Sequence, residues 1–168
     1  MLLPAKTSDV SGEVSLFDAL VSYGEERALA TLPHQLHGFL VACLHEHLRD
    51  VGVTHQVFAI TFLEAPRTRG AEGNVHLKRM GDGALLLAGF FPERALRLNV
   101  SPAYFRSMGQ SAYATLSTRL FAMGKPEPAK AYNAVAHSFD VLAKVLSAAQ
   151  SSPDTSWGAY RRFRTMLT

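Results

Sequence analysis

The residues that could carry chemistry in this chain are few and scattered. Asp82 stands between Gly81 and Gly83 at the head of the most apolar stretch, Ala84 to Phe91. A carboxylate buried there requires hydrogen-bond donors or a cation. Tyr104, Arg106 and Tyr113, all on a helix expected to begin at Ser101, are the candidate donors. Two roles compete for this set. As a catalytic acid, Asp82 needs a pocket with at least one of those tyrosines facing it. As a helix N-cap or buried polar anchor it joins two helices, and the anchor is the preferred reading, with no residue assigned as catalytic.

Seven histidines raise the question of a metal. His34 and His37 are three residues apart, so on a helix both reach one cation, but no third ligand lies nearby. His45 and His47 project from nearly opposite sides of the same helix. Without a Cys/His cluster or an HExxH sequence, solvated or hydrogen-bonded histidines are the default, and no metal or cofactor is assigned. Gly109-Gln110-Ser111-Ala112-Tyr113 lacks the second glycine of a nucleophile elbow and falls inside a helical pattern. There Gly109 and Ala112 read as small residues that permit close helix packing. Walker loops, dinucleotide fingerprints and paired-carboxylate motifs do not occur. Trp157 to Arg164 mixes aromatics with arginines, a chemistry that suits nucleic acid. On a helix, however, Tyr160, Phe163, Met166 and Leu167 share one side while Arg161 and Arg162 point away, which describes a capping helix docked on the domain.

Helices must position these groups. Phe17, Leu20, Val21 and Ala28 mark a first helix from near Ser15 to about Ala30, preceded by a flexible segment, residues 1–14. Leu36, Phe39, Leu40, Cys43, Leu44 and Leu48 form the stripe of a second, opened by Pro33. Ser101-Pro102 is a serine N-cap before a proline at the first helical position, and Phe105, Met108, Ala112 and Leu116 recur from there until Gly124. A helix over roughly Ala129 to Ala149 buries Tyr132, Val135, Phe139, Leu142 and Leu146, and a short one follows from Ser156 to Leu167. The segment His55 to Ala65 reads equally as helix or strand. Val75 to Leu87 also has two readings, a helix or a hairpin turning at Gly81-Asp82-Gly83, and a lone two-stranded sheet is marginal.

Gly81-Asp82 with Leu85, then Gly89-Phe90-Phe91-Pro92, then Tyr104-Phe105, Gly109, Ala112 and Tyr113 resemble a motif string of small uncharacterised bacterial proteins. It covers roughly residues 75–120. The resemblance implies that the Gly-Asp pair lies in a helix ending at Phe-Phe-Pro; it implies no activity.

Composition bounds the rest. The 168 residues suit one domain, and 48% hydrophobic against 18% charged residues exclude a disordered chain. The single cysteine, Cys43, excludes an internal disulfide and sits in apolar surroundings as a buried thiol. The N-terminus lacks the order of a signal peptide, and the longest apolar run is far too short for a bilayer, so the expected setting is the cytoplasm, with no membrane contact. The net charge of +3 divides unevenly: through Pro66 there are 3 basic and 8 acidic residues, and beyond it 14 basic and 6 acidic. With the basic residues spread singly, this describes halves of one fold that complement each other better than a nucleic-acid footprint.

The expected fold is therefore a single all-α domain of six or seven helices, with an α+β fold carrying a small hairpin near 75–88 as the alternative. The leading functional expectation is a non-enzymatic intracellular binding or regulatory protein using a helical surface or an inter-helix pocket. It would take a protein partner or self-associate, and the reading admits a small-molecule ligand. A small enzyme built around Asp82 is the first alternative, and nucleic-acid binding through the basic half the second.

Overall fold

Prolines and a glycine stand at most of the helix starts. The computed structural model describes residues 10–48, 70–97 and 99–153, which form seven α-helices and one π-helical turn with no strand among them. In chain order these are α1 (Val10–Ala28), α2 (His34–Leu48), α3 (Gly70–Leu85), the π turn (Leu86–Phe90), α4 (Pro92–Arg97), α5 (Pro102–Ala122), α6 (Pro126–His137) and α7 (Phe139–Ala149). The expectations for residues 1–9, for His55 to Ala65 and for the Ser156 to Leu167 helix lie outside the described residues. No described helix is long and apolar enough to cross a membrane.

The ambiguous segment is helical, so the hairpin alternative is overturned. On α3, Gly73, Leu77, Met80, Gly81, Ala84 and Leu85 recur at three- and four-residue spacing and are all buried, while Val75 and Arg79 face outward. A hairpin would have placed Asp82 at an exposed turn; the helix carries it inward. Below Leu85 the helix widens: Phe91 N–H donates to the Leu86 carbonyl at 2.7 Å, five residues back. That wider turn brings Leu86, Leu87, Gly89 and Phe90 inward together, and Pro92, without an N–H, begins the next element. The Gly-Asp pair thus lies in a helical run that ends at Phe-Phe-Pro, as the motif resemblance implies.

Other boundaries follow their local signals. Ser101 Oγ accepts from Tyr104 N–H at 3.2 Å with Pro102 behind it. Gly124 ends α5 in the left-handed region at φ 73°, where Lys125 N–H closes onto the Leu120 carbonyl. Two differences stand out. The first helix begins at Val10 rather than near Ser15, so part of the segment expected to be flexible is helical. The long helix over 129–149 is two, divided at Ser138, whose φ of −97° and ψ of 8° let it end α6 and start α7. Apolar spacing continues through that single residue, which is why periodicity does not register the break.

Helix α5 lies along α3 and α6, α1 packs against α7 and α2, and the π turn rests on α7. The larger apolar core gathers Phe17, Leu40, Leu44, Leu86, Phe90, Phe139 and Leu142; a smaller one between α3, α5 and α6 holds Leu77, Met80, Ala112, Leu116 and Ala129. Gly109 permits a close crossing: a Cβ there would lie 2.3 Å from the Phe139 ring and 3.0 Å from Ala84 Cβ.

Candidate functional site: a buried carboxylate between three helices

Asp82 has no solvent exposure, and its two oxygens take three donors from three helices. Tyr113 of α5 donates its hydroxyl to Oδ1 at 2.7 Å. His47, near the end of α2, places Nε2 2.8 Å from Oδ2. Lys78, one turn earlier on α3, donates from Nζ to the same Oδ2 at 2.7 Å and also to Glu46 Oε2 at 2.7 Å. The carboxylate is therefore ionised and surrounded by hydrogen.

Local sequence explains why this arrangement forms. Lys78 and Asp82 are four apart, so they share a face of α3. Gly81 has no side chain where Tyr113 needs to pass: a Cβ there would lie 2.6 Å from Tyr113 Cε1. The glycine admits the ring and the neighbouring aspartate holds its hydroxyl. Around that ring, Tyr132 stacks at a centroid distance of 6.0 Å and 18°, and Phe39 meets it edge-on at 5.7 Å. An apolar wall thus closes over the carboxylate, which strengthens each of its electrostatic contacts.

Titration behaviour follows from the same geometry. Burial would push the Asp82 carboxyl up, but the His47 hydrogen bond and the Lys78 charge outweigh burial and hold it below the ordinary carboxylate range. Burial would push Lys78 down, yet Asp82 and Glu46 raise it above an ordinary lysine. Burial raises Tyr113 well above a free phenol, and the Asp82 charge adds to it. Tyr132 is raised in the same sense, again chiefly by burial. The fully buried Cys43 thiol is raised well above its ordinary value, by burial first and the Asp82 charge second. Neither Tyr113 nor Cys43 is set up as a nucleophile at neutral pH.

Of the residues singled out from the sequence, Asp82 and Tyr113 meet. Tyr104 does not reach them: it is 55% exposed, with its ring against Phe105. Arg106 pairs with Asp140 on the surface at 2.7 Å. His47, Lys78, Cys43 and Glu46 complete the cluster and were not anticipated there, although two four-residue spacings, Cys43 to His47 and Lys78 to Asp82, were visible. His34 stands exposed at the start of α2. His37 lies between two α1 carboxylates, Nδ1 2.7 Å from Glu25 and Nε2 2.8 Å from Asp18. Burial would lower its pKa, but Glu25 and Asp18 outweigh burial and raise it. Glu25 Oε1 also accepts from Leu32 N–H, tying the α1–α2 connection. Arg161 and Arg162 lie outside the described residues.

A second feature lies about the start of α3 and the end of α5. Gly70, Asn74, Arg119, Ala122 and Met123 line a shallow cleft of about 310 Å³. Asn74 donates from Nδ2 to Met123 Sδ at 3.3 Å, a weak bond, and its Oδ1 is buried without a hydrogen-bond partner. No family model, curated protein or solved structure matches the chain.

Proposed function

We propose that the protein is a non-enzymatic binding protein that takes a small, largely apolar ligand in the α3–α5 cleft. The carrying observation is Asn74, which lines the cleft with a buried and unpartnered Oδ1. An amide oxygen left in that state costs roughly 1–3 kcal/mol. Turning the Asn74 amide toward the cleft, at the expense of its weak bond to Met123, would let a ligand N–H or O–H remove that cost. Met123, 48% exposed, supplies a deformable apolar wall. The cleft volume of about 310 Å³ is at the small end of ligand sites. Asp82 is better suited to holding α2, α3 and α5 together than to acting on a substrate, since it is fully buried and both its oxygens already accept hydrogen bonds.

This reading places the protein in the cytoplasm, where a lone buried thiol such as Cys43 stays reduced. Self-association belongs to the same reading, on the strength of outward apolar side chains such as Leu29, 94% exposed, and Phe121.

Indole and 1-methylindole, alike in apolar surface but differing in the N–H, test the cleft. In an amide-resolved NMR titration, indole shifts the resonances of Gly70, Asn74 and Ala122 and binds about fivefold more tightly than its methylated analogue. Asn74→Ala removes the preference. Equal affinity for the two, or shifts confined to other regions, defeats the proposal.

A further inference from the structure

Cys43, His47 and Asp82 each offer one ligand atom, and the three atoms lie within 4.8 Å of one another. Thiol, imidazole and carboxylate form a mixed soft and hard donor set suited to zinc-like divalent ions. Cys43 and His47 are four residues apart on α2 and so share one face, while Asp82 comes from α3 opposite. All three therefore sit on helices, which position ligands more rigidly than loops.

Distances are close to what an ion needs. Ligand bonds of about 2.0–2.3 Å in a tetrahedron separate donor atoms by roughly 3.3–3.8 Å. His47 Nε2 and Asp82 Oδ2, 2.8 Å apart across a shared proton, would part slightly as the neutral imidazole moves that proton to Nδ1 and frees Nε2, and the thiol would close in. Neither movement exceeds about an ångström at side-chain ends.

Charge points the same way. Asp82, Glu46 and Lys78 together carry one net negative charge when His47 is neutral. A dication that replaces the Cys43 thiol proton brings the cluster to neutrality, which a largely buried site favours. Lys78 is the resident cation on Asp82 Oδ2, but its side chain is 31% exposed and it has a second partner in Glu46. It can give up Asp82 and retain Glu46.

We infer that Cys43, His47 and Asp82 form a three-ligand site for a thiophilic divalent cation, with a fourth position left for water. This site is separate from the Asn74 cleft, and neither depends on the other.

Chelator-treated full-length protein titrated with Co2+ gives a direct readout, because Cys43 is the chain's sole cysteine. Expected is one equivalent bound with intense tetrahedral d–d bands and a thiolate-to-cobalt charge-transfer band, both displaced by Zn2+. Cys43→Ser abolishes the charge-transfer band, and it or His47→Gln lowers affinity by more than about a hundredfold, beyond the loss caused by an outer partner. Lys78→Met, which removes the competing cation, tightens binding about tenfold. A wild-type spectrum without the charge-transfer band overturns the inference, and this holds whether or not any variant folds. Co2+ affinity unchanged in Cys43→Ser, or weakened in Lys78→Met, overturns it equally.

Discussion

The Asp82 and His37 clusters use bonds of nearly equal length in opposite arrangements. At Asp82 an acceptor sits at the centre and donors converge from α2, α3 and α5. At His37 a donor sits at the centre and both acceptors, Asp18 and Glu25, come from α1. Asp82 has no exposure, whereas His37 is 16% and Asp18 62% exposed. Equal distances therefore do not mean equal energies. Water screens the rim cluster, while at the buried one each lost partner leaves a polar group that water cannot reach.

Asp82→Asn provides the severest test of that contrast. It keeps the shape, removes the charge, and turns an amide N–H toward groups that are themselves donors. A loss of about 3–5 kcal/mol is expected in urea unfolding, the range for breaking a buried charged pair. A loss under about 1 kcal/mol would mean that the cluster is not held by charge.

Tyr113→Phe comes next, removing one hydrogen bond to an ionised group while leaving the ring beside Gly81. About 1.5–3 kcal/mol should be lost, and a double-mutant cycle with Asp82→Asn should recover most of that as coupling. Additive losses would show that the hydroxyl and the carboxylate act separately.

His37→Gln should cost no more than about 1 kcal/mol, and its effect should depend on pH. The folded pKa of His37 is raised, so its contribution is complete below the unfolded value of about 6.5 and fades as pH rises through the folded value. Wild-type melting temperature should thus fall between about pH 6 and pH 8 by an increment that His37→Gln removes. A variant with the same pH slope as wild type would assign that slope to other groups.

Arg106→Ala sets the zero of the scale. The Arg106–Asp140 pair is 2.7 Å long, like the contacts of Asp82, but both side chains are more than half exposed. Its removal should change stability by less than about 0.5 kcal/mol. A larger change would undo the claim that burial, not distance, separates the two clusters.

Sequence arithmetic accounts for part of the Asp82 cluster and could have accounted for more. Tyr104 and Tyr113 are nine residues apart, about half a turn out of phase on one helix, so both could not face the same carboxylate. Arg106 shares the Tyr113 face but lies about 10 Å along the axis, and there it meets Asp140 instead. His47 lies 35 residues from Asp82, across a connection whose path local spacing does not specify.

By itself, the sequence determined the helical class, the serine and glycine helix ends, the buried state of Cys43 and the identity of Asp82 as the polar residue needing partners. These depend on periodicity, capping and composition, which act over one or two turns. The tertiary structure alone decided that Tyr113, His47 and Lys78 are the partners, and that Lys78 also reaches Glu46 of α2. It also decided that Asn74 lines a cleft with its Oδ1 unpartnered. Such choices depend on how helices distant in sequence cross, and the crossings are set where a missing Cβ, as at Gly81 and Gly109, lets one helix approach another.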